Sequence, residues 1–144
     1  MRKLVLLFAV MTMFYSCAGK RPENLGLENK WLAQCPPKRN CVNSQSAGEA
    51  FFIEPFKYEG TREAAIKKLK KTMESFDRIT LIEEDEKYMR YEAKTAIMGF
   101  VDDLEFYFAQ GNIIHIRSAA RLGYFDFGVN RKRVEKLRGL FSSK

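Results

Sequence analysis

Between Val101 and Arg133 the chain gathers the side chains best equipped for chemistry: Asp102, Asp103 and Glu105, then Arg117, Arg121, Asp126, Asn130 and Arg131. A carboxyl group that exchanges protons beside guanidinium groups that hold an anion is the equipment of acid–base catalysis on a negatively charged substrate. In that reading, a hydrolase-type enzyme, Asp102 or Glu105 is the acid or base and Arg117, Arg121 and Arg131 form the clamp. The same residue types serve equally as a binding surface, or as an ion-paired frame that binds nothing. No Ser, Cys or Lys nucleophile motif accompanies them, and His115 is the single histidine. No catalytic residue is therefore assigned, no metal set is recognised and no cofactor is expected.

Strand alternation decides which of these groups can meet. With Gln110, Gly111 and Asn112 as a hairpin loop, Phe108 faces Ile114, Phe106 faces Ile116 and Leu104 faces Ser118 on an apolar side. On the charged side Tyr107 then faces His115, Glu105 faces Arg117 and Val101 faces Arg121. Asp102 falls on the apolar side beside Ala120, where an unpaired carboxylate costs on the order of several kcal/mol. Its partner must be Arg121 across a bulge, the loop from Gly123 to Gly128, Arg131 or Arg133. A structural ion pair or loop anchor is its expected role.

Beyond that strand Gly123 and Gly128 punctuate the chain, Asn130 has the chemistry of an N-cap, and Val134, Leu137 and Phe141 share one helical face. The spacing predicts a helix beginning near Arg131. Its first turn carries Arg131, Lys132 and Arg133 against the helix dipole. An acid among Asp102, Asp103 and Asp126, or a bound phosphate, carboxylate or lipid headgroup, must compensate.

These elements need a scaffold. FFIEPFKY, residues 51–58, predicts a first strand, at an edge because of Pro55. Gly60-Thr61 opens a helix with Ile66, Leu69, Met73 and Phe76 as its buried stripe and Glu63 spaced to pair with Lys67. Residues 78–83 and 87–94 predict two strands joined by the acidic turn Glu83–Glu86, with Met89, Tyr91 and Ala93 alternating against Tyr88, Arg90 and Glu92. The order β-α-β-β-β-β-α predicts an α+β fold, an antiparallel sheet of about five strands with two helices on one face. A loose analogy with helix-grip lipid carriers would place a cavity among Phe52, Phe56, Phe106 and Phe108.

The 144 residues, 46% of them hydrophobic, suffice for one domain. Arg2-Lys3, the apolar run Leu4 to Tyr15 and Ser16-Cys17 read as a targeting segment, shorter than the ~20 residues of a membrane span. The segment is similar to a bacterial lipoprotein signal, although Phe14 stands where leucine is usual. The resemblance implies cleavage before Cys17 and acylation of that cysteine, with ordinary signal-peptide cleavage as the alternative. The expected organisation is a signal peptide over 1–16, a polar tether over 17–34 that drapes through Leu25, Leu27 and Trp31, and one α+β domain over 35–144. With Cys17 acylated, Cys35 and Cys41 are the remaining thiols, and such a pair in an oxidising compartment most often forms a disulfide. The net charge is +7, with cations concentrated at Lys67, Lys68, Lys70 and Lys71 and from Arg131 to Arg138. These runs are either solvated helix faces or a surface for anionic headgroups. Nucleic acid is not an expected partner.

RPENLGL from Arg21, CPPKRNCVNSQ from Cys35, FVDDLEF from Phe100 and RSAARLGYFDFGVNRKRVEKLR from Arg117 together resemble domain-of-unknown-function family 1499, found in bacterial envelope proteins and plastids. Asn43 and Ala120 depart from the pattern, each standing where serine is common, so a hydroxyl at position 120 is not essential here. The resemblance implies that Asp102, Asp103, Glu105, Arg117, Ser118, Arg121, Asp126, Asn130 and Arg131 form one motif, and it implies no reaction. The expectation is a non-catalytic, lipid-anchored protein of the bacterial envelope, facing the periplasm or exterior. Its Asp/Arg motif would bind a membrane component, such as an anionic lipid, or an envelope protein.

Overall fold

The computed structural model describes residues 18–143; Cys17 and the expected signal segment lie outside them. A short hairpin comes first, β1 (Leu27–Glu28) and β2 (Trp31–Leu32). Asn29 and Lys30 both take positive φ, 50° and 69°, the twist that lets a two-residue loop join antiparallel strands. The main sheet follows: β3 (Cys41–Asn43), β4 (Phe56–Lys57), β5 (Ile79–Glu84), β6 (Tyr88–Lys94), β7 (Val101–Ala109) and β8 (Ile113–Ala120). Helix α1 (Arg62–Met73) lies between β4 and β5 in sequence, and α2 (Val129–Ser142) closes the chain.

The spatial order is β3-β8-β7-β6-β5, with β4 sharing the outer edge of β8 beside β3. The sheet is thus α+β and antiparallel as expected, but six-stranded, because Cys41-Val42-Asn43 pairs with Ala119, Ser118 and Arg117. The expected strand over 51–58 shrinks to Phe56–Lys57, since Pro55 offers no amide to a ladder; upstream only Phe52 bridges to Asn43. The β7–β8 hairpin has the expected register, with Phe106 against Ile116, Glu105 against Arg117 and Asp102 against Ala120.

Both helices pack on the apolar face. Leu69 and Met73 of α1 and Val134, Leu137 and Phe141 of α2 bury against Met89, Leu104, Phe106, Ile114 and Ile116; each such side chain contributes about 1.5–3 kcal/mol. Thr61 caps α1, its hydroxyl accepting from the Ala64 amide at 3.2 Å. Glu63 does not pair with Lys67: it faces its own backbone amide and the Thr61 hydroxyl, which hold its carboxyl below the usual range. The residues expected to line a lipid cavity fill one another instead. Phe56 stacks on Phe141 at 5.6 Å and meets Phe106 at 6.5 Å, while Phe52 is at the surface. Among the described residues no helix is long and apolar enough to cross a membrane.

The second face of the sheet is covered by the chain before β3. Leu32 buries against Tyr88 and Tyr107, whereas Leu27 and Trp31, two of the expected docking residues, are exposed. Polar ties hold this segment: the Leu32 amide donates to Gln45 Oε1 (2.8 Å), Gln45 Nε2 to the Lys30 carbonyl (3.0 Å), Asn43 Nδ2 to the Ala33 carbonyl (2.9 Å), and the Gly26 amide to Glu105 Oε1 (2.9 Å). Cys35 and Cys41 are disulfide-bonded, closing the loop that leads into β3.

Candidate functional site

Alternation along β6, β7 and β8 brings Arg90, Glu92, Asp103, Glu105 and Arg117 to the second face, and the N-terminal segment covers them, leaving Glu92 part-exposed. Arg90 and Glu105 are 0% exposed, Asp103 1% and Arg117 4%. Burial of this kind demands pairing, and each carboxylate is paired. Arg121 grips Asp103 with two bonds, Nε to Oδ2 and Nη2 to Oδ1, each 2.8 Å, and its Nη2 also meets Glu92 Oε1. Arg90 Nη1 reaches the same Asp103 Oδ1 at 3.2 Å, and Arg90 Nε lies 3.5 Å from Glu83. Arg117 Nη1 donates to Glu105 Oε2 at 2.8 Å, while the Tyr88 hydroxyl and the Gly26 amide donate to Glu105 Oε1. Burial first, then the neighbouring Glu105 charge, pushes the Tyr88 phenol pKa upward, so Tyr88 stays a donor. The bonds to Asp103 hold Arg121 even more firmly as a cation than usual.

Asp102 points to the opposite face, toward α2. Arg133 Nη2 donates to its Oδ2 at 2.7 Å, so of the partners open to it, Arg133 is the one taken. Burial raises the Asp102 pKa, and the Arg133 charge only partly offsets the rise. Arg133 Nη1 also donates to Asn130 Oδ1 (2.9 Å), which accepts from the Ser118 hydroxyl as well.

Asn130 is not the cap. The helix starts at Val129, after Gly128 in the left-handed conformation (φ 74°). Asp126 performs the capping, its Oδ1 accepting from the Gly128 amide and its Oδ2 from the Asn130 amide, both at 2.9 Å. Gly128 can adopt the positive φ that lets the chain fold back over the Asp126 carboxylate, and this moves the cap upstream. Fully buried Asn130 instead donates from Nδ2 to Asp126 Oδ2 and to the Asn40 carbonyl. Asp102 and Asp126 thus supply the negative charge that the basic first turn requires.

The expected charge cluster is therefore two clusters, back to back across the sheet. Asp103, Glu105, Arg117 and Arg121 share one face; Asp102, Asp126 and Asn130 share the other with Arg133. Arg131 joins neither, its Nη2 reaching only the Ala50 carbonyl at 3.3 Å. Sequence reasoning left Arg90, Glu92 and Tyr88 out of the cluster. The signal was present, since pairing β6 with β7 places Arg90 opposite Glu105 and Glu92 opposite Asp103.

Two openings are each lined by an arginine whose Nε is buried and unpartnered. A small cavity of about 320 Å³ touches Asp103, Arg117 and Arg121 beneath Lys38 and Asn40. Arg117 Nε and Asn40 Oδ1 are buried and unpartnered. A larger groove of about 680 Å³ lies at the other end of the sheet, where the 85–87 and 110–112 turns are. Lys30, Trp31, Arg62, Lys87, Tyr107 and His115 are among its walls, and none of its fourteen lining residues is acidic. Arg62 Nε is also buried without a partner. His115 stacks on Tyr107 at 6.1 Å, and its Nδ1 is 3.1 Å from the Ser44 hydroxyl. That hydroxyl oxygen also accepts from the Ile116 amide at 2.9 Å, so Ser44 ties the His115 ring to the β8 backbone. Burial depresses the His115 pKa.

A family model described as a protein of unknown function, DUF1499, matches residues 31–141. The chain belongs to the DUF1499 family. The matched span takes in β2 through most of α2, hence both charge clusters and most of the groove, but not Gly26, whose amide seals Glu105. Among curated proteins none matches the chain. The two positions read from the sequence as departures, Asn43 and Ala120, both make local contacts. Asn43 is fully buried and its Nδ2 donates to the Ala33 carbonyl, while the Ala120 backbone amide donates to the Asn40 carbonyl.

Proposed function

We propose that this DUF1499 chain is a non-catalytic binding protein, held at a bacterial envelope membrane by a lipid on Cys17, that takes an anionic ligand in the groove beside α1. The observation that carries the reading is the groove's lining: Lys30, Arg62 and Lys87 with no carboxylate among them, and the Trp31 and Tyr107 rings to pack against the ligand. Phosphate or carboxylate groups match this chemistry, since they accept charge-assisted hydrogen bonds from guanidinium and ammonium donors. The acid/base candidates point away from catalysis: Glu105 is sealed by three donors and Asp102 is engaged by Arg133. In this account the Asp/Arg motif is the frame that holds the sheet, the N-terminal segment and α2 together.

Titration calorimetry of the full chain with inorganic phosphate, glycerol phosphate and a short acidic peptide tests the reading. At least one probe should bind, and Arg62→Ala with Lys87→Ala should weaken it about ten-fold or more with an unchanged melting temperature. Failure of all three probes, or binding indifferent to both substitutions, overturns it. The unpartnered Arg117 Nε and Asn40 Oδ1 favour a second reading, in which the small cavity admits a ligand directly onto the Asp/Arg motif. Under that reading Lys38→Ala abolishes binding and Arg62→Ala does not.

A further inference from the structure

The exposed apolar side chains are not scattered. Of the twelve large hydrophobic residues exposed among the described residues, eight fall in two short stretches, 97–100 and 122–129. Ile97 is 93% exposed, Phe127 79% and Tyr124 75%. Topology puts both stretches at one end of the sheet. Residues 95–100 connect β6 to β7, and residues 121–128 follow β8, whose end is fastened to the start of β7 by the Arg121 amide on the Val101 carbonyl (3.1 Å). The groove is at the opposite end, about 25 Å away along β7 at ~3.3 Å per residue.

Cations fringe the aromatic tips. Lys38 Nζ lies over the Tyr124 ring at 5.0 Å, Lys132 Nζ reaches the Phe127 carbonyl, and the backbone of exposed Arg39 pairs with that of Phe125 in an isolated parallel β-bridge. The one acid between Arg121 and Lys132, Asp126, is turned inward to cap α2. The chain also enters the fold here. Gly19 packs so closely on Arg121 and Leu122 that a Cβ on it would come within 3.0 Å of both. Covalent connectivity therefore brings any lipid on Cys17, two residues upstream, to the same end.

We propose that this end of the sheet lies in the headgroup region of an anionic bilayer, with Ile97, Tyr124, Phe125 and Phe127 in the interface and Lys38, Arg39 and Lys132 on the phosphates. Aromatic rings favour the interface because one part of them is apolar and another polar, and nearby cations are drawn to anionic lipid. The membrane is favoured over a protein occupant because the apolar tips, their cationic fringe and the anchor position coincide. The inference rests on the lipid-anchor reading for its orientation, and it leaves the groove facing away from the membrane.

The test uses the full chain in vesicles of phosphatidylethanolamine and phosphatidylglycerol carrying brominated acyl chains, which quench tryptophan on contact. Trp31, beside the groove, is the native reporter; Phe127→Trp in a Trp31→Phe background reports on the docking end. Quenching of the Phe127→Trp reporter should be about two-fold or more while Trp31 is unaffected, and Lys38→Glu with Lys132→Glu should reduce it. Equal quenching of both reporters, or none at position 127, overturns the proposal. So does concentration-dependent self-association that Phe127→Ser abolishes, which would assign the surface to a second copy. Mass spectrometry of the amino-terminal peptide reads the anchor independently. An unacylated Cys17 with a quenched Phe127→Trp reporter removes the anchor and keeps the docking surface; an acylated Cys17 with an unquenched reporter does the reverse.

Discussion

Replacing Asp103 by asparagine removes one negative charge and almost no volume, so any loss of stability is electrostatic. Asp103 takes two bonds from Arg121 and one from Arg90, and it is 1% exposed. After the substitution Arg90, equally buried, keeps only Glu92 at 3.4 Å and the half-exposed Glu83 at 3.5 Å, and the new amide presents N–H groups where acceptors stood. Stranding a buried charge costs about 3–5 kcal/mol, a large share of the ~5–15 kcal/mol that holds a typical domain. Urea unfolding of the oxidised protein followed by circular dichroism should show a lower midpoint with an unchanged slope. Asp102→Asn should cost much less. Burial raises the Asp102 pKa more than Arg133 lowers it, so losing that charge relieves a penalty as well as breaking a pair. The double variant Asp103→Asn with Arg121→Gln should lose less than the sum of its parts, because each member strands the other. A loss below about 1 kcal/mol for Asp103→Asn, or a larger loss for Asp102→Asn, would refute the assignment of the frame to the second face.

Removal of the cap by Asp126→Ala should cost about 1–2 kcal/mol and speed amide exchange at Gly128 and Asn130, readable by NMR. Cys35→Ala should destabilise the protein by about 2 kcal/mol, since a short loop is released in the unfolded chain, and should loosen the Asn40 contacts with β8 and α2; melts with and without reductant check it. His115 gives a pH dependence of definite sign. Its folded pKa lies below the ordinary value near 6.5, so its contribution is complete above that pH and is lost as pH falls through the lowered value. Stability measured between pH 7.5 and 5.5 should fall on acidification, and less steeply in His115→Gln. Asp102 has the opposite sign: its raised pKa makes its contribution greatest below about pH 4 and lost as pH rises through the folded value.

The β7–β8 hairpin was legible because two independent signals agree there: a glycine-containing loop fixes the register, and Leu104, Phe106, Phe108, Ile114 and Ile116 alternate with charged residues. The misfit of Asp102 was readable for the same reason, but it left Arg121, the following loop, Arg131 and Arg133 all open as partners, and Arg133 on α2 is the one taken. What was not legible depends on who covers whom. A strand that alternates Met89, Tyr91 and Ala93 with Arg90 and Glu92 reads as half-solvated. Arg90 is nevertheless fully buried, because a polar segment with little hydrophobic pattern lies over it through hydrogen bonds from Gly26, Leu32 and Asn43. Strands β3 and β4 are too short for any period to register. The capping shift from Asn130 to Asp126 turned on the left-handed Gly128, since several side chains nearby had the right chemistry and only the backbone distinguishes them.

The central claim is that the Asp/Arg motif is a sealed frame, and the Gly26 amide reports on the seal, because its bond runs to Glu105 Oε1. Native-state hydrogen exchange of the full chain should find that amide protected nearly as well as those of β7, and about a hundred-fold less protected in Glu105→Ala. Exchange at the rate of an open peptide in the unaltered chain would mean that water already reaches Glu105, and the frame would have to be reconsidered as an open site.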